Sequence, residues 1–536
     1  LIPDFGQVTF DKVRLNLGPF EQTFGENRAF FTEGVDLFRK GDIFFSRRIG
    51  NGPTGSVGEL ADTEEVEAYP SKVNLLNSVK ISGRTKDNLG VGFLNSITER
   101  SFAEIRDTIT GERRQVEVEP LTNYNVFVLD QQFNQNSSIS VINTNVTRNG
   151  SDNRDANVTA LAFNLANKEN SYTASGKAVV SNVNFPGELV TGFRSELDVF
   201  KTKGNFRYRL GHDLANTTFN INDLGLNNRN NFNNFSVGAS YEIFQPTQIF
   251  NKYRIDLRLR HRRLYQPDVQ TDNTASINTF LVLKSRLAFG FDFFTGGERR
   301  DYFEPRLAGR YVIFEPRIGT GGFVSTDYRK KLAFDIKYGY NKWFGNQDQT
   351  NYRLEVSPRF RFSDKFLLVF TTEYSTQIKN FGWVDNTDTE VFLGLRDITT
   401  FENSLDLSYN FDSFKAINLR FRNFWSTADY SSDTFYILNQ NGTRTETEYD
   451  LAERRDPNTN FNIWNLDLSF RWRFAPGSEA SLLYRNQIFN SDDLSSLGYT
   501  ESLGNLFDQP IQHTISLRVT YFIDFNNVRS LFNKAG

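Results

Sequence analysis

The feature that most constrains the fold is an alternation of apolar and polar residues in segments about ten residues long. Between residues 464 and 474, the even positions are Trp, Leu, Leu, Phe, Trp and Phe, whereas the odd positions are Asn, Asp, Ser, Arg and Arg. The pattern recurs at residues 332–341, 352–362 and 514–525. Because successive side chains of a strand point to opposite faces, each segment predicts a strand with one apolar and one polar face. Helix-period patterns are scarce, so the sequence predicts an all-β fold.

A soluble sandwich would alternate in the same way, so further features must separate it from a membrane barrel. The chain contains 53 Phe, 21 Tyr and 5 Trp, and the apolar faces are rich in them near strand ends, as in the aromatic girdles of barrels. The strands exceed the about five or six residues usual in globular sheets. No apolar run approaches the roughly 20 residues that a transmembrane helix needs. These features favour a transmembrane β-barrel.

The connections predict the number and direction of the strands. Short polar turns such as residues 363–365 alternate with long links such as residues 427–460 and 492–511. Short turns belong on the periplasmic side of an outer-membrane barrel and long loops on the extracellular side. An even count requires an ascending strand at residues 42–50, and the total becomes about 22, within a range of roughly 20–24. We therefore expect a single antiparallel transmembrane outer-membrane β-barrel.

This count divides the chain into three parts. Residues 1–40 are predicted to form a plug-like segment in the periplasm or lumen, residues 41–526 the barrel, and residues 527–536 a C-terminal tail. The chain lacks an initial Met and a signal-peptide pattern, so we expect it to start inside a longer precursor. The strands at residues 138–149 and 155–167 alternate less cleanly than the others.

Composition excludes several classes of function. With 61 basic and 64 acidic residues the formal charge is −3, so no global field favours a nucleic-acid partner. The absence of Cys excludes disulfides, thiolate metal sites and cysteine nucleophiles. The three histidines, His212, His261 and His513, are far apart in sequence, and only His212 has an adjacent acid, Asp213. We therefore expect a non-enzymatic chain with no catalytic residue, no cofactor, no metal and no nucleic-acid partner.

Six short motifs, called the marker motifs below, occur in an order that resembles one known family. They are DFGQV (residues 4–8), ENR (26–34), FSR (45–50), SGR (82–85), NDLG (222–225) and EPR (304–306). The family is one of unknown function in Bacteroidota outer membranes, and its members usually carry a carbohydrate-binding-like family 9 module ahead of the barrel. The resemblance implies an outer-membrane location and a missing N-terminal module, and it implies no reaction.

Arginine is abundant on the polar faces of the predicted strands. At residues 253–263, four arginines share the polar face with Asp256. Such side chains are expected to line the lumen, where they either select anionic or sugar-like solutes or pair with acids and hydrate the wall. We favour pairing, with Asp256, Glu355, Asp406, Asp467 and Asp524 as the partners. The lumen-lining candidates are Arg254, Arg258, Arg260, Arg262, Arg353, Arg359, Arg361, Arg420, Arg422, Arg471, Arg473 and Arg518.

The patterns together predict a protein of the bacterial outer membrane with a blocked lumen. Barrels of about 16–18 strands already enclose an aqueous channel, so residues 1–40, inward loops or a partner must close a wider one. We expect a plugged transport or scaffold component that contacts outer-membrane lipid and lipopolysaccharide and acts with protein partners in a complex. A glycan is a further candidate partner. The alternatives are a porin-like diffusion channel for anionic or sugar-like solutes and a soluble extracellular all-β glycan-binding protein.

Overall fold

The computed structural model describes residues 11–32, 34–150, 153–345, 348–430 and 434–522, and β-strands dominate them. Helical structure in these ranges consists of α1 (Ala29–Thr32), α2 (Tyr499–Phe507) and two 3-10 turns at Lys40–Asp42 and Ser46–Arg48. None of the described helices has the length and apolar character needed to cross a membrane. The strands are β1 (Glu64–Ala68), β2 (Leu75–Arg84), β3 (Leu89–Thr98), β4 (Ser101–Asp107), β5 (Arg113–Glu119), β6 (Thr122–Phe133), β7 (Ser137–Arg148), β8 (Asp155–Ala166), β9 (Tyr172–Phe185), β10 (Glu188–Lys201), β11 (Phe206–Ala215), β12 (Phe232–Ile243), β13 (Phe250–Arg263), β14 (Gln270–Leu283), β15 (Ala288–Gly296), β16 (Arg299–Asp301), β17 (Val312–Phe314), β18 (Arg317–Ser325), β19 (Leu332–Trp343), β20 (Thr350–Arg361), β21 (Phe366–Asn386), β22 (Val391–Asn410), β23 (Lys415–Asp429), β24 (Phe435–Leu438), β25 (Arg444–Thr447), β26 (Thr459–Ala475), β27 (Ser478–Asp492) and β28 (Gln512–Thr520).

The strands belong to one large sheet and two small ones. Within the described ranges, 23 strands form a sheet whose hydrogen bonds have the topology of a closed barrel. The small sheets have the order β1-β4-β5 and β16-β17. The predicted all-β fold class, an antiparallel barrel of about 22 strands, is confirmed.

One face of the large sheet carries exposed apolar side chains, and we call it the outer face. In β28, Ile515, Leu517 and Val519 are 75, 70 and 60% exposed, and β19 exposes Phe334 and Ile336 in the same way. The opposite face is called the inner face. Contiguous apolar surface of this kind is rare on soluble monomers and marks contact with a membrane or a partner.

The predicted strand at residues 42–50 is wrong. These residues contain the 3-10 turn Ser46–Arg48, and the first strand of the large sheet is β2. Gly41 and Asp42 adopt positive φ angles of 71° and 53°, which a strand does not allow. Ile43 and Ile49 are buried, so the apolar residues that suggested a strand are core anchors instead. The parity argument that required this strand fails with it.

Several long links contain regular structure that the alternation did not reveal. Links at residues 51–74 and 102–122 supply the sheet β1-β4-β5. Within the link at residues 427–460, β24 and β25 form a hairpin, and β24 pairs with β22.

The link at residues 492–511 contains α2, which packs on the outer face of β23 and β26. Tyr499 donates a hydrogen bond to Asn423 Oδ1 (2.8 Å), and Ser502 donates one to Asn460 Oδ1 (3.1 Å). The register of β23 with β26 places both asparagines on the same face as Trp464. The outer face therefore changes from apolar to amide side chains at this end of the strands, and the helix covers the amides.

The chain divides into two compact units, each with its own buried clusters. The first contains Phe24–Tyr241 and Arg258–Asn273, and the second contains residues 11–23, Glu242–Leu257 and residues 274–522. In the first unit, Leu94, Val126, Val128, Ile142 and Ala160 of the inner face are buried to within 1% exposure. Strands buried on one face and apolar on the other lose the polar alternation, which explains the unclear pattern at residues 138–149 and 155–167.

Candidate functional site

Residues 11–50, called the N-terminal segment below, contain two of the marker motifs and contact the others that the structure describes. The ENR and FSR motifs lie within this segment, and the DFGQV motif and Glu33 lie outside the described residues. Residues 24–50 belong to the first unit and residues 11–23 to the second, so the contacts of each part are described separately.

Arg28 joins the ENR motif to the FSR motif. It is 7% exposed and donates hydrogen bonds to the carbonyls of Ile49 and Ser46, both at 2.6 Å. It also pairs with the Glu26 carboxylate at 2.8 Å, to which Ser46 Oγ donates at 2.5 Å. Burial opposes ionisation of Glu26, but the hydrogen bonds and charge of Arg28, aided by Ser46, lower its pKa overall. An ionised carboxylate therefore fixes the two motifs to each other.

The NDLG motif is hydrogen-bonded to the FSR motif within the first unit. The backbone N–H of Phe45 donates to the carbonyl of Leu224 (2.7 Å), and Arg48 Nε donates to the carbonyl of Gly225 (3.0 Å). A Cβ at Gly225 would lie 2.9 Å from the carbonyl oxygen of Ile43, so only glycine permits this approach. Two motifs that are distant in sequence therefore meet on the N-terminal segment.

Ion pairs connect these motifs and the segment to the strands of the first unit. Asp223 of the NDLG motif pairs with Arg148 (3.0 Å) and Arg154 (2.5 Å). Arg84 of the SGR motif pairs with the buried Asp130 at 2.6 Å, and Lys40 of the segment approaches the same carboxylate at 3.4 Å. The SGR motif also contacts the segment directly, because Ser82 Oγ donates to the carbonyl of Gly34 at 3.3 Å.

Apolar side chains of the segment fill the inner face of the first unit. Phe31, Phe38 and Ile49 are 4, 1 and 0% exposed, in one cluster with Val126 and Ile142. Burial of each such side chain contributes about 1.5–3 kcal/mol relative to exposure. Residues 24–50 are therefore a part of the core and not a loosely attached tail.

In the second unit, residues 11–23 bind the inner face of β22, β23 and β26. The fully buried Arg422 donates to Glu402 Oε1 and to the carbonyl of Val13, both at 2.8 Å. Arg14 pairs with the other oxygen of Glu402 at 3.0 Å. Val13 and Leu15 pack on buried aromatic and aliphatic side chains beside these charges. Glu402 therefore binds one arginine of the wall and one of the segment.

The EPR motif also contacts the segment in the second unit. Arg306 donates to the carbonyl of Leu17 at 2.7 Å, and its guanidinium lies 3.7 Å from the ring centre of Trp383. Glu304 accepts the backbone N–H of Trp383 at 2.9 Å, and burial raises the pKa of Glu304. Every marker motif within the described ranges thus either belongs to the N-terminal segment or contacts it.

Several arginines predicted to line the lumen are paired with acids. The pairs are Arg254 with Asp256 (2.7 Å), Arg353 with Glu355 (3.2 Å) and Glu373 (2.8 Å), and Arg420 with Asp406 (2.9 Å). The favoured pairing with Asp256, Glu355 and Asp406 is thereby confirmed. Asp467 pairs instead with Arg485 at 2.8 Å, and Asp524 lies outside the described residues.

The other arginines have varied surroundings, and their role as lumen-lining residues stays a prediction. Arg422 binds Glu402 and the segment, as described above. Arg359 lies over the ring of Tyr328 at 4.6 Å, Arg361 is half-buried, Arg471 and Arg518 approach Glu479 at 3.9 Å, Arg473 is exposed, and Arg258, Arg260 and Arg262 line one cavity.

His212 and Asp213 do not form a catalytic pair. They are neighbours in β11 and point to opposite faces. His212 Nε2 lies 2.8 Å from Asn233 Oδ1, and its ring is 4.7 Å from that of Phe235, whereas Asp213 pairs with Arg194 at 3.1 Å. The ranges that the structure describes contain no group of three or more His, Asp or Glu side chains placed to hold a metal. A non-enzymatic role stays a prediction.

Sequence reasoning missed the buried residues that hold the segment, above all Glu402 and Asp130. Both acids lie on strands whose alternation makes them look like ordinary polar-face residues. The marker motifs carried a usable signal, because motifs far apart in sequence meet around the segment.

A family model described as "Domain of unknown function (DUF5916)" matches residues 1–532 of the chain. No curated protein matches it. Among solved structures, the chain is similar to the siderophore receptor PirA from Pseudomonas aeruginosa, with 10% identity, a TM-score of 0.42 and 82% of each chain covered. At this TM-score and identity, the similarity carries no inference about the fold or ligands of this chain.

Proposed function

The chain belongs to this family of unknown function, and we propose that it is a non-enzymatic β-barrel of the bacterial outer membrane, plugged by its own N-terminal segment. In this proposal it is a transport or scaffold component that contacts lipid and lipopolysaccharide and acts with partner proteins. The motif resemblance further favours a Bacteroidota source and a carbohydrate-binding-like family 9 module elsewhere in the precursor.

The outer face supports a membrane location. Leu468, Phe470 and Trp472 of β26 are 36, 36 and 44% exposed, and similar residues recur on β19 and β28. In water such a surface would aggregate, whereas acyl chains would cover it. A soluble glycan-binding protein gives no reason for an exposed apolar face on strand after strand.

The observation that supports a plug best is that every described marker motif either belongs to the N-terminal segment or contacts it. Residues 24–50 are buried, hydrogen-bonded and ion-paired on the inner face of the first unit, and the partly exposed residues 11–23 are hydrogen-bonded and ion-paired to the inner face of the second. Since a wide barrel must be closed by something, a segment fixed to its inner face is the simplest closure.

A porin-like channel for anionic or sugar-like solutes is the second candidate function. It is favoured by the arginines of the inner face, such as Arg258 and Arg260, which line a cavity. Such a channel requires a continuous open path, and the two functions therefore differ in whether the intact protein conducts ions.

Fluorescence quenching by brominated acyl chains tests the membrane location. Trp472 is 44% exposed on the outer face, whereas Trp425 is 6% exposed, with its ring 5.8 Å from that of Tyr499. We expect brominated lipid vesicles to quench the fluorescence of the reconstituted protein, and Trp472→Phe to remove much of the quenched signal. Trp425→Phe is the matched control, and it should leave the quenched signal unchanged. A purified chain that stays dispersed in water without detergent would overturn the membrane location.

A further inference from the structure

A charged cavity of about 220 Å³ lies on the inner face of the first unit. Side chains from β10, β11, β12 and β13 line it, among them Asp198, Arg209, Ser236, Arg258 and Arg260. Acids and arginines both line the cavity, so its net charge depends on which of these side chains are paired with one another.

Each acid that lines the cavity is paired with a cationic side chain. Asp198 accepts two hydrogen bonds from Arg209, both at 2.7 Å. Asp213 is held by Arg194, and the Glu196 carboxylate is approached by Lys177 at 3.4 Å. Each of these three carboxylates therefore has a cationic partner outside β13, and none of them forms an ion pair with an arginine of β13.

Arg258 and Arg260 are the charges left over. Neither forms an ion pair with any residue that the structure describes, although Arg262 on the same face pairs with Asp272 at 3.1 Å. The charged neighbours of Arg260 are the guanidinium groups of Arg258, Arg262 and Arg209. Positive charges gathered in one place repel one another, and an anion between them relieves the repulsion.

Gly211 shapes the floor of the cavity. A Cβ at this position would lie 2.5 Å from Asp198 Oδ1 and 2.6 Å from Ser236 Oγ. Its absence leaves room beside the Asp198–Arg209 pair, and Ser236 and Asn234 add neutral hydrogen-bonding groups to the lining. A side chain at position 211 would therefore fill space that the cavity now has beside the Asp198–Arg209 pair.

We propose that Arg258 and Arg260 bind an oxyanion, namely the phosphate group of a small solute, in this cavity. The forked guanidinium matches phosphate geometry and binds it through charge-assisted hydrogen bonds. The volume is below the roughly 300–1,000 Å³ of drug-sized pockets, so it holds one charged group with a small attached portion. The site goes beyond the plugged-barrel function, because its occupancy depends neither on closure of the lumen nor on transport.

Equilibrium dialysis of the intact protein in non-ionic detergent against radiolabelled inorganic phosphate tests the site. We expect saturable binding at low salt that weakens as the salt concentration rises. Arg260→Gln and Arg258→Gln should each lower the affinity about tenfold or more, since hydrogen bonds to charged groups are lost. Arg254→Gln is the matched control, because Arg254 shares the strand and face but pairs with Asp256, and it should bind like the unaltered protein.

Competition with unlabelled compounds shows whether the site recognises the phosphate group or the sugar attached to it. The folding of each variant is checked in a separate measurement. Glucose 6-phosphate should displace the label and glucose should not; displacement by glucose would overturn the proposal. Heat-modifiable migration of each variant shows that the barrel is intact. Absent binding to the unaltered protein, or equal affinity in Arg254→Gln and Arg260→Gln, would also overturn it.

Discussion

Removal of residues 1–50 should convert a protein of low conductance into an open channel. The segment contributes buried anchors up to Ile49 in the first unit, beyond the residues 1–40 that the sequence suggested, and the partly buried Val13 accepts a hydrogen bond from Arg422 in the second. Without it, the inner face would meet water across a wide barrel, so single-channel currents in planar bilayers should rise roughly tenfold or more.

The interpretation of this experiment depends on the integrity of the truncated barrel. The deletion removes none of the described strands, which begin at Glu64, and heat-modifiable migration shows whether the barrel stays folded without the buried side chains of residues 24–50. Large, steady currents from the intact protein would support the porin-like alternative. Unchanged low conductance after the deletion would show that the N-terminal segment is not what closes the lumen.

Arg422→Leu should be among the most destabilising single substitutions in the second unit. Arg422 is completely buried and neutralises Glu402, whose side chain is only 10% exposed. Loss of Arg422 leaves the buried Glu402 with only the half-exposed Arg14 as its cationic partner, and breaking a buried pair in this way costs about 3–5 kcal/mol of unfolding free energy. Urea unfolding in lipid vesicles, followed by tryptophan fluorescence, measures this cost.

Arg420 provides the matched control two residues away on the same strand and face. It also pairs with an acid, Asp406, but the side chains are 46 and 50% exposed. Water already screens such a pair, so Arg420→Leu should cost less than about 1 kcal/mol. The double variant Arg422→Leu with Glu402→Leu should recover much of the loss, since no buried charge is left unpaired and the Arg14 that loses its carboxylate is 51% exposed to water. Equal costs for the two single variants would contradict the buried ion pair.

The strands could be predicted from the sequence because the outer face is a local property. A strand such as β28 has Ile515, Leu517 and Val519 at every second position, and this pattern needs no knowledge of distant residues. The class of fold and the approximate strand number follow from such repeats.

The contacts on the inner face could not be predicted in the same way, because the residues that pack on this face come from distant parts of the chain. Residues 42–50 contain apolar residues in a short window, and only the contacts of Phe45 with Leu224 and of Ile49 with Arg28 distinguish a buried turn from a strand. Glu402 looks like any polar-face residue until Arg14, far away in sequence, pairs with it.

Disulfide trapping tests most directly whether the N-terminal segment lies on the inner face. A Cβ at Gly41 would be 3.1 Å from that of Ala160, close to the ~3.5–4.5 Å of disulfides, and the chain has no native Cys. Ala160 is buried, whereas the adjacent Leu161 is 49% exposed on the outer face. We expect Gly41→Cys with Ala160→Cys to cross-link in the folded protein under mild oxidation, and Gly41→Cys with Leu161→Cys to stay reduced. Cross-linking to position 161 and not to position 160, or to neither, would contradict a segment bound to the inner face.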